Sequence, residues 1–337
     1  MRVLIVDQAE VRGLLPMHEC MDVMAEALAA LARGEAILPL RPIMWLPGNA
    51  GALALMPSYL ANIRAMGVKV ISVFPGNHGT AFDSHQGAVL LFDTAHGRLL
   101  AMMDASEITA IRTAAVSGVA TRLLARPEAH ALAILGAGVQ ARTHLAAMMV
   151  ARPVTSVRVW SRDAGRALRF AEREARRHGI AVSAAATVQE AVAGADIICT
   201  TTAATEPVLR GEWVAPGAHI NAAGASVPAS RELDTAAVVR SRLYVDRRES
   251  TLNEAGDFLI PRKEGAITDA HIVGEIGELL LGTVRGRGSP DEVTLFKSLG
   301  LAVEDLAAAA HIYEKAIAQG AGQLVELGGE RDPLDAS

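Results

Sequence analysis

The chain has little cysteine, no surplus of basic charge and no apolar run of bilayer length, and each lack removes a class of protein. Two cysteines in 337 residues, Cys20 and Cys199, are too few for a disulfide framework or a cysteine-held metal cluster. A reducing, cytoplasmic setting is therefore expected. The net charge is −5 and carries no basic stripe, which argues against a nucleic-acid partner. No apolar run approaches the roughly 20 residues of a membrane span, so no membrane partner is expected. Met1–Asp7 lacks the long apolar region of a signal peptide and reads as a strand. Ten histidines are scattered without ligand spacing, so no metal is expected.

What is present is a globular composition, 51% hydrophobic and 20% charged, in a chain long enough for two domains. The most informative stretch is Ala131–Ala141. A short apolar run leads into Gly136-Ala137-Gly138-Val139-Gln140-Ala141, then a helical pattern through Met149. Gly136 permits a tight turn, Gly138 lets a diphosphate approach the backbone, and Ala141 lets helix and strand pack closely. Free N–H groups and the helix dipole at such a turn form an anion site. The downstream pattern supports this reading. Ser156–Trp160 reads as a strand and Asp163–His178 as a helix. Ala181–Ala184 reads as a weaker strand, and Thr187 with Glu190 as a capping box. Ala195–Cys199 reads as a buried strand in which Cys199 is a core residue. Alternation of this kind predicts a Rossmann-type, doubly wound parallel sheet that binds a dinucleotide.

A second unit precedes it. Met17–Ala32 has helical spacing. Ile37–Trp45, Ala52–Met56, Gly67–Phe74, Gly87–Phe92 and Leu99–Met103 read as strands, with a hairpin turn at Thr94–Gly97. Ser106–Leu124 reads as a long helix, broken at Ala125–Glu128. Val303–Gln319 reads as an amphipathic helix able to return to the first unit, and the tail from Gly328 as frayed. The expected organisation is an α+β substrate and dimerisation domain over 1–125 and 303–337, and a dinucleotide domain over 126–302.

At the end of the second nucleotide strand stand Ser161 and Arg162, where NAD-binding folds place an acid. A serine and an arginine suit a 2′-phosphate, so NADP(H) is favoured and NAD(H) remains open. Asp163 reads as the cap of the next helix or, alternatively, as the missing acid. In the first unit Arg41, Lys69 and Arg112 lie beside apolar or turn segments. A buried cation needs an anion. That anion is either a substrate carboxylate, which arginine grips with two prongs, or a distant Asp or Glu; alternatively each side chain buries only its stem and snorkels to water. His85 is either a cofactor or substrate contact or a hydrogen-bonded structural residue.

Several ordered segments now allow a comparison. Lys69, Ser84-His85-Gln86 with Leu91-Phe92-Asp93, and Ile108-Thr109 with Arg112-Thr113-Ala114-Ala115 belong to the set. So do the glycine turn, Ala204-Thr205-Glu206-Pro207, Gly217–Ala222 with Gly224-Ala225-Ser226, and Phe296–Gly300. In these the chain resembles the ornithine cyclodeaminase/mu-crystallin family, on its mu-crystallin side. The resemblance implies a homodimer whose first domain is built from both chain ends. It implies that Arg41, Lys69 and Arg112 surround a substrate carboxylate and the reacting carbon, with Lys69 and Arg112 catalytic. Alongside Gly136, Gly138, Val139 and Gln140 of the turn, and His85, it implies cofactor contacts at Thr113, Ser161, Arg162, Thr202, Ser226, Lys297 and Ser298. One departure matters. The family's cyclodeaminases carry acids at the positions of Ser226 and Ala54, and neither residue here can move a proton as a carboxylate does. The expectation is an NAD(P)H-dependent reductase of small cyclic ketimine carboxylates, of the Δ1-pyrroline- or Δ1-piperideine-2-carboxylate type. The alternatives are an alanine-type amino-acid dehydrogenase acting on 2-oxo acids, an ornithine cyclodeaminase, and an NADP-dependent ligand-binding protein.

Overall fold

In a computed structural model that describes residues 2–77 and 80–329, the chain divides into two compact units. One comprises residues 1–112 with 301–337, the other residues 113–300. The division falls inside a helix, whereas the sequence reading put the first boundary at that helix's end.

The first unit begins with β1 (Arg2–Val6), α1 (Gln8–Leu14) and α2 (Met17–Ala32). Asp7 and Glu10 close a capping box at the start of α1. Then come β2 (Ala36–Ile37), β3 (Ile43–Trp45), β4 (Ala52–Leu60), β5 (Ala65–Val73), β6 (His85–Asp93) and β7 (Leu99–Asp104). The single strand expected over 37–45 is two short ones. Pro39 and Pro42 have no N–H to give a ladder, so pairing stops between them. The expected turn at Thr94–Gly97 joins β6 to β7: Gly97 has φ 70°, and Asp93 Oδ1 accepts from the N–H groups of Ala95 and His96. α3 (Ala105–Leu124) follows and runs across the division between the units.

The second unit continues with β8 (Ala131–Leu135), α4 (Val139–Ala151), β9 (Ser156–Trp160), α5 (Ala164–His178), β10 (Ala181–Ala184), α6 (Val188–Val192) and β11 (Ile197–Thr200). Next are β12 (His219–Ala222), α7 (Thr235–Val239), β13 (Ser241–Val245), α8 (Arg248–Glu254), α9 (Gly256–Lys263), β14 (Ile272–Glu275), α10 (Ile276–Leu280) and β15 (Val293–Lys297). The chain then returns to the first unit as α11 (Ala302–Gln319) and β16 (Gln323–Glu326). The expected frayed tail lies mostly outside the described residues.

The first unit's sheet has the order β16-β1-β7-β6-β5-β4-β2, with β3 also paired to β4. It is antiparallel except where β1 runs parallel to β7. Its strands alternate. Ala52, Ala54, Met56, Ile71, Val89, Leu91 and Met103 are buried, while Leu55, Met66 and Met102 on the opposite face stay exposed.

The second unit's sheet is parallel throughout, in the order β10-β9-β8-β11-β12-β15-β13-β14. Strand order reverses on either side of β8, so the crevice beyond the carboxyl ends of β8 and β11 is the switch point where such sheets bind ligands. The central strands are apolar because both faces are covered: β11 and β12 are buried at every residue. Thr187 caps α6 from its side chain, but Glu190 returns to the N–H of Ala186 rather than to that of Thr187, so the expected capping box is half formed. Cys199 is fully buried and its thiol is pushed up to about 12 by desolvation, which makes it a core residue. Among the described residues no helix is long and apolar enough to cross a membrane.

Candidate active site

Each unit holds one cluster of the expected residues. In the first, antiparallel pairing does the assembly. β4 and β5 set Met56 opposite Lys69, and β5 and β6 set Lys69 opposite Val89. β3 continues its register on β4 through the Leu55 N–H bond to the Pro42 carbonyl, which brings Arg41 level with Met56. Arg41, Met56 and Lys69 thus form one cross-strand row. Lys69 and Arg112 are 2% and 3% exposed, so both cations needed partners.

The partners come from the first turn of α11, more than 190 positions away. Asp305 lies 2.7 Å from Lys69 Nζ, and its Oδ1 accepts from Arg112 Nε at 2.8 Å. Glu304 Oε2 accepts from Arg112 Nη1 at 2.7 Å. The sequence left open whether the anions were substrate or protein, and here they are protein. Acids suit the positive end of a helix, and Glu304 and Asp305 are buried there at 0% and 1% exposure. The sequence reading missed them. The available signal was two adjacent acids at the start of an otherwise apolar, alanine-rich helix.

The arrangement leaves donors over. Arg112 makes no hydrogen bond from Nη2, so one edge of its guanidinium is available. Lys69 Nζ reaches Asp305 and Thr109 Oγ1, at 3.3 Å, which leaves one N–H. Burial lowers the Lys69 ammonium to about 8; Asp305 opposes the shift, while Arg112 and Arg41 add to it. Arg112 is held above its ordinary value, because Asp305 and Glu304 outweigh the cost of burial. The cluster therefore offers a fixed cation edge beside a lysine that can lose its proton near neutral pH.

His85 is exposed at the start of β6; its Nδ1 shares a hydrogen bond with Ser84 Oγ at 3.0 Å, and its carbonyl accepts from Ser106. Thr113, the residue after Arg112 on α3, is 8% exposed.

In the second unit the remaining expected residues collect at the carboxyl edge of the parallel sheet. Gly136 follows β8 with φ 122°, and a Cβ there would stand 2.7 Å from Thr201 O and Oγ1, so no other residue fits. Gly138 is the N-cap of α4 and makes no side-chain cap bond; a Cβ there would meet nothing within 4 Å. The first N–H groups of α4, from Val139 onward, are thus left without a side-chain cap at an open spot. Gln140 Oε1 and Ser298 Oγ are buried without hydrogen-bond partners. An open helix start and two orphaned polar atoms fit a dinucleotide.

Ser161 and Arg162 follow β9, and Arg162 is exposed. Asp163 Oδ1 accepts from the Arg166 N–H, so Asp163 is the cap of α5. Beyond it Arg166, Arg169, Arg173 and Arg176 are all exposed at helical spacing, a concentration of positive charge that the net −5 of the whole chain concealed. Thr202 and Ser226 follow β11 and β12, and Lys297 and Ser298 lie at and just after the end of β15. The Lys297 side chain is held within the protein. It is 1% exposed, and its three N–H groups go to Ala222 O at 3.2 Å, Ala225 O at 2.5 Å and Asp257 at 3.0 Å.

A parallel sheet with a glycine turn at its switch point defines a dinucleotide-binding α/β protein, and the lysine–arginine–carboxylate cluster adds acid–base chemistry. Residues 1–320 match the ornithine cyclodeaminase/mu-crystallin family, and the chain belongs to it. The mouse ketimine reductase mu-crystallin is 45% identical over 86% of this chain and 89% of its own length. The structure of Thermococcus litoralis Δ1-pyrroline-2-carboxylate reductase in complex with NADH and L-proline superposes with a TM-score of 0.94, at 40% identity, over 96% of this chain and all of that one. An archaeal alanine dehydrogenase dimer with bound NAD gives 0.91 at 32% identity, covering 97% and 100%. The protein is an oxidoreductase of this family that uses a pyridine nucleotide.

Proposed function

We propose that the protein reduces small cyclic imino acids of the Δ1-pyrroline- and Δ1-piperideine-2-carboxylate type, with NADPH as the preferred donor. The observation that carries this is the Lys69–Asp305–Arg112 cluster, in which a buried, rigid pair of cations retains one guanidinium edge and one ammonium N–H. The free edge of Arg112, helped by Arg41, holds the substrate carboxylate. Glu304 and Asp305 fix that edge beforehand, so little orientation is lost on binding. When bound, the nicotinamide would supply the hydride that the imine carbon needs. Reducing C=N to CH–NH also requires one proton at nitrogen. Lys69, charged below about 8, gives it, and is reprotonated from solvent before the next turnover. The L-proline in the Thermococcus complex is the amino acid that reduction of pyrroline-2-carboxylate yields.

Ala54 supports reduction over cyclodeamination. It stands between Ile43 and Ile71 in an apolar rung of the sheet, where no carboxylate can take a proton from an amine. Ser161 with Arg162, and the use of Asp163 as a helix cap, support NADPH over NADH. The uncovered apolar face of the first unit's sheet, with Leu53, Leu55, Val70, Leu90 and Met102, supports a homodimer formed through it.

The test is spectrophotometric. Cyclic imines and 2-oxo acids are offered with NADPH or NADH, with and without ammonia. Ammonia-independent oxidation of NADPH by the cyclic imines is the expected result; turnover only of 2-oxo acids with ammonia would make the protein an amino-acid dehydrogenase. Lys69→Met should lower kcat by about 100-fold or more while nucleotide affinity is kept, the usual scale for loss of a general acid.

A further inference from the structure

Beneath the carboxyl edge of the parallel sheet lies a carboxylate to which the reaction assigns no role. Glu232 is 0% exposed. Its Oε1 accepts from the Thr202 N–H at 2.6 Å and the Thr202 hydroxyl at 2.7 Å. Its Oε2 accepts from the Thr200 hydroxyl and the Gly224 N–H, both at 2.7 Å. Four donors on two oxygens fill a carboxylate's acceptor sites, and no neutral side chain of that size can receive all four. The Glu232 and Leu233 N–H groups in turn donate to Asp257 Oδ1, at 2.8 and 3.0 Å. Asp257 pairs with Lys297, whose other donors hold the carbonyls of Ala222 and Ala225.

One buried chain of charges thus joins the loops that follow β11 and β12 to the end of β15. The joint is close: a Cβ on Gly224 would lie 2.2 Å from Thr202 O and 2.4 Å from Glu232 Oε1. Burial and the neighbouring Asp257 both work against the charge of Glu232, and an apolar residue would avoid that cost. What an apolar residue cannot do is pin two loops together through their own N–H groups. These loops lie on the β11–β12 side of the switch point, and the glycine turn and Ser161 follow β8 and β9. In a doubly wound sheet the two halves of a dinucleotide occupy the two sides of that point.

We propose that Glu232 is a positioning residue for the nicotinamide half of the cofactor: through Thr200, Thr202 and Gly224 it fixes the loops that carry that half, without touching the nucleotide. The proposal rests on the pyridine-nucleotide reading above. It separates the two halves of the cofactor, since none of the four hydrogen bonds to the Glu232 carboxylate comes from the glycine turn or from Ser161, on the adenosine side.

The experiment titrates the full chain with NADPH and with 2′-phospho-ADP-ribose, which has the adenosine half and no nicotinamide. In Glu232→Gln an amide N–H2 faces donors that had an acceptor. The dissociation constant for NADPH should rise at least about tenfold, the scale of a lost charged hydrogen bond, and that for 2′-phospho-ADP-ribose should stay within about twofold. Thr200→Val removes a single donor and should move the same ratio in the same direction by a few-fold, which keeps the test alive if Glu232→Gln does not fold. Parallel weakening of both ligands would show a merely structural residue, and unchanged NADPH affinity would show an idle one; either overturns the proposal. Wild-type protein that binds neither ligand would instead overturn the cofactor reading, and this proposal with it.

Discussion

Asp305→Asn tests the chemistry most sharply, because Asp305 touches both cations and no substrate role is assigned to it. The substitution keeps the shape and removes the charge between Lys69 and Arg112. A unit charge about 4 Å away is worth on the order of 4 kcal/mol at an effective dielectric of about 20. That is about three pKa units. Asp305 is what holds the Lys69 ammonium up against burial, so its loss should carry Lys69 from about 8 to about 5. At pH 7.5 most wild-type molecules carry the proton on Lys69, and about one in 300 variant molecules would. The sign follows from the role. A proton donor works in its charged form, so kcat/KM should fall as pH rises through the Lys69 value. The wild-type fall should centre near 8, and the variant's near 5, with activity recovered on acidification. The assay is NADPH oxidation with a cyclic imino acid between pH 5 and 9. Thermal melts must accompany it, since removing one member of a buried ion pair costs about 3–5 kcal/mol. A folded variant whose pH profile matches the wild type, or whose lost activity acid does not restore, would refute the assignment of Lys69 as the donor.

Three other outcomes are expected. Gly136→Ala should destabilise the fold by about 1–3 kcal/mol, from strain at φ 122° and the clash with Thr201, whereas Gly138→Val should melt like the wild type and yet lose nucleotide binding, because its Cβ meets only open space; melting curves and nucleotide titration separate the two. Arg162→Ala should weaken NADPH by about five- to tenfold and leave NADH nearly unchanged, as loss of a charged hydrogen bond to a phosphate implies, and equal loss for both nucleotides would remove Arg162 from the 2′-phosphate site. Leu90→Asp on the uncovered sheet face should shift the protein toward monomer in analytical ultracentrifugation without unfolding it; an unchanged mass would place any dimer contact elsewhere.

The first half of the nucleotide unit, through Cys199, was legible because its signals are local, whereas the elements from β12 to β15 were not read from the sequence. A strand, a glycine turn and a helix follow one another within 21 residues, and Ser156–Trp160, Ala181–Ala184 and the Asp163 cap lie where the pattern put them. Strand ends were less legible in the first unit. Ala52–Leu60 runs on past the expected end at Met56 despite Pro57, because register with Ala65–Val73 outweighs local propensity. The pair of prolines at 39 and 42 carried the opposite message, and it was read too weakly.

The sequence by itself determined the fold class, the glycine turn and the placing of cations at 69 and 112 beside apolar segments, since period and turn chemistry depend only on neighbouring residues. Tertiary structure alone decided what those cations meet. Lys69 stands on a strand, Arg112 on one helix and Asp305 on another, and no spacing rule links positions separated by 193 residues. The same holds for Glu232, whose four donors come from the end of β11 and the loops after β11 and β12, which share no sequence pattern with it. Charge pairing inside a protein is fixed by which surfaces the packed sheets and helices bring together, and that is a property of the whole chain.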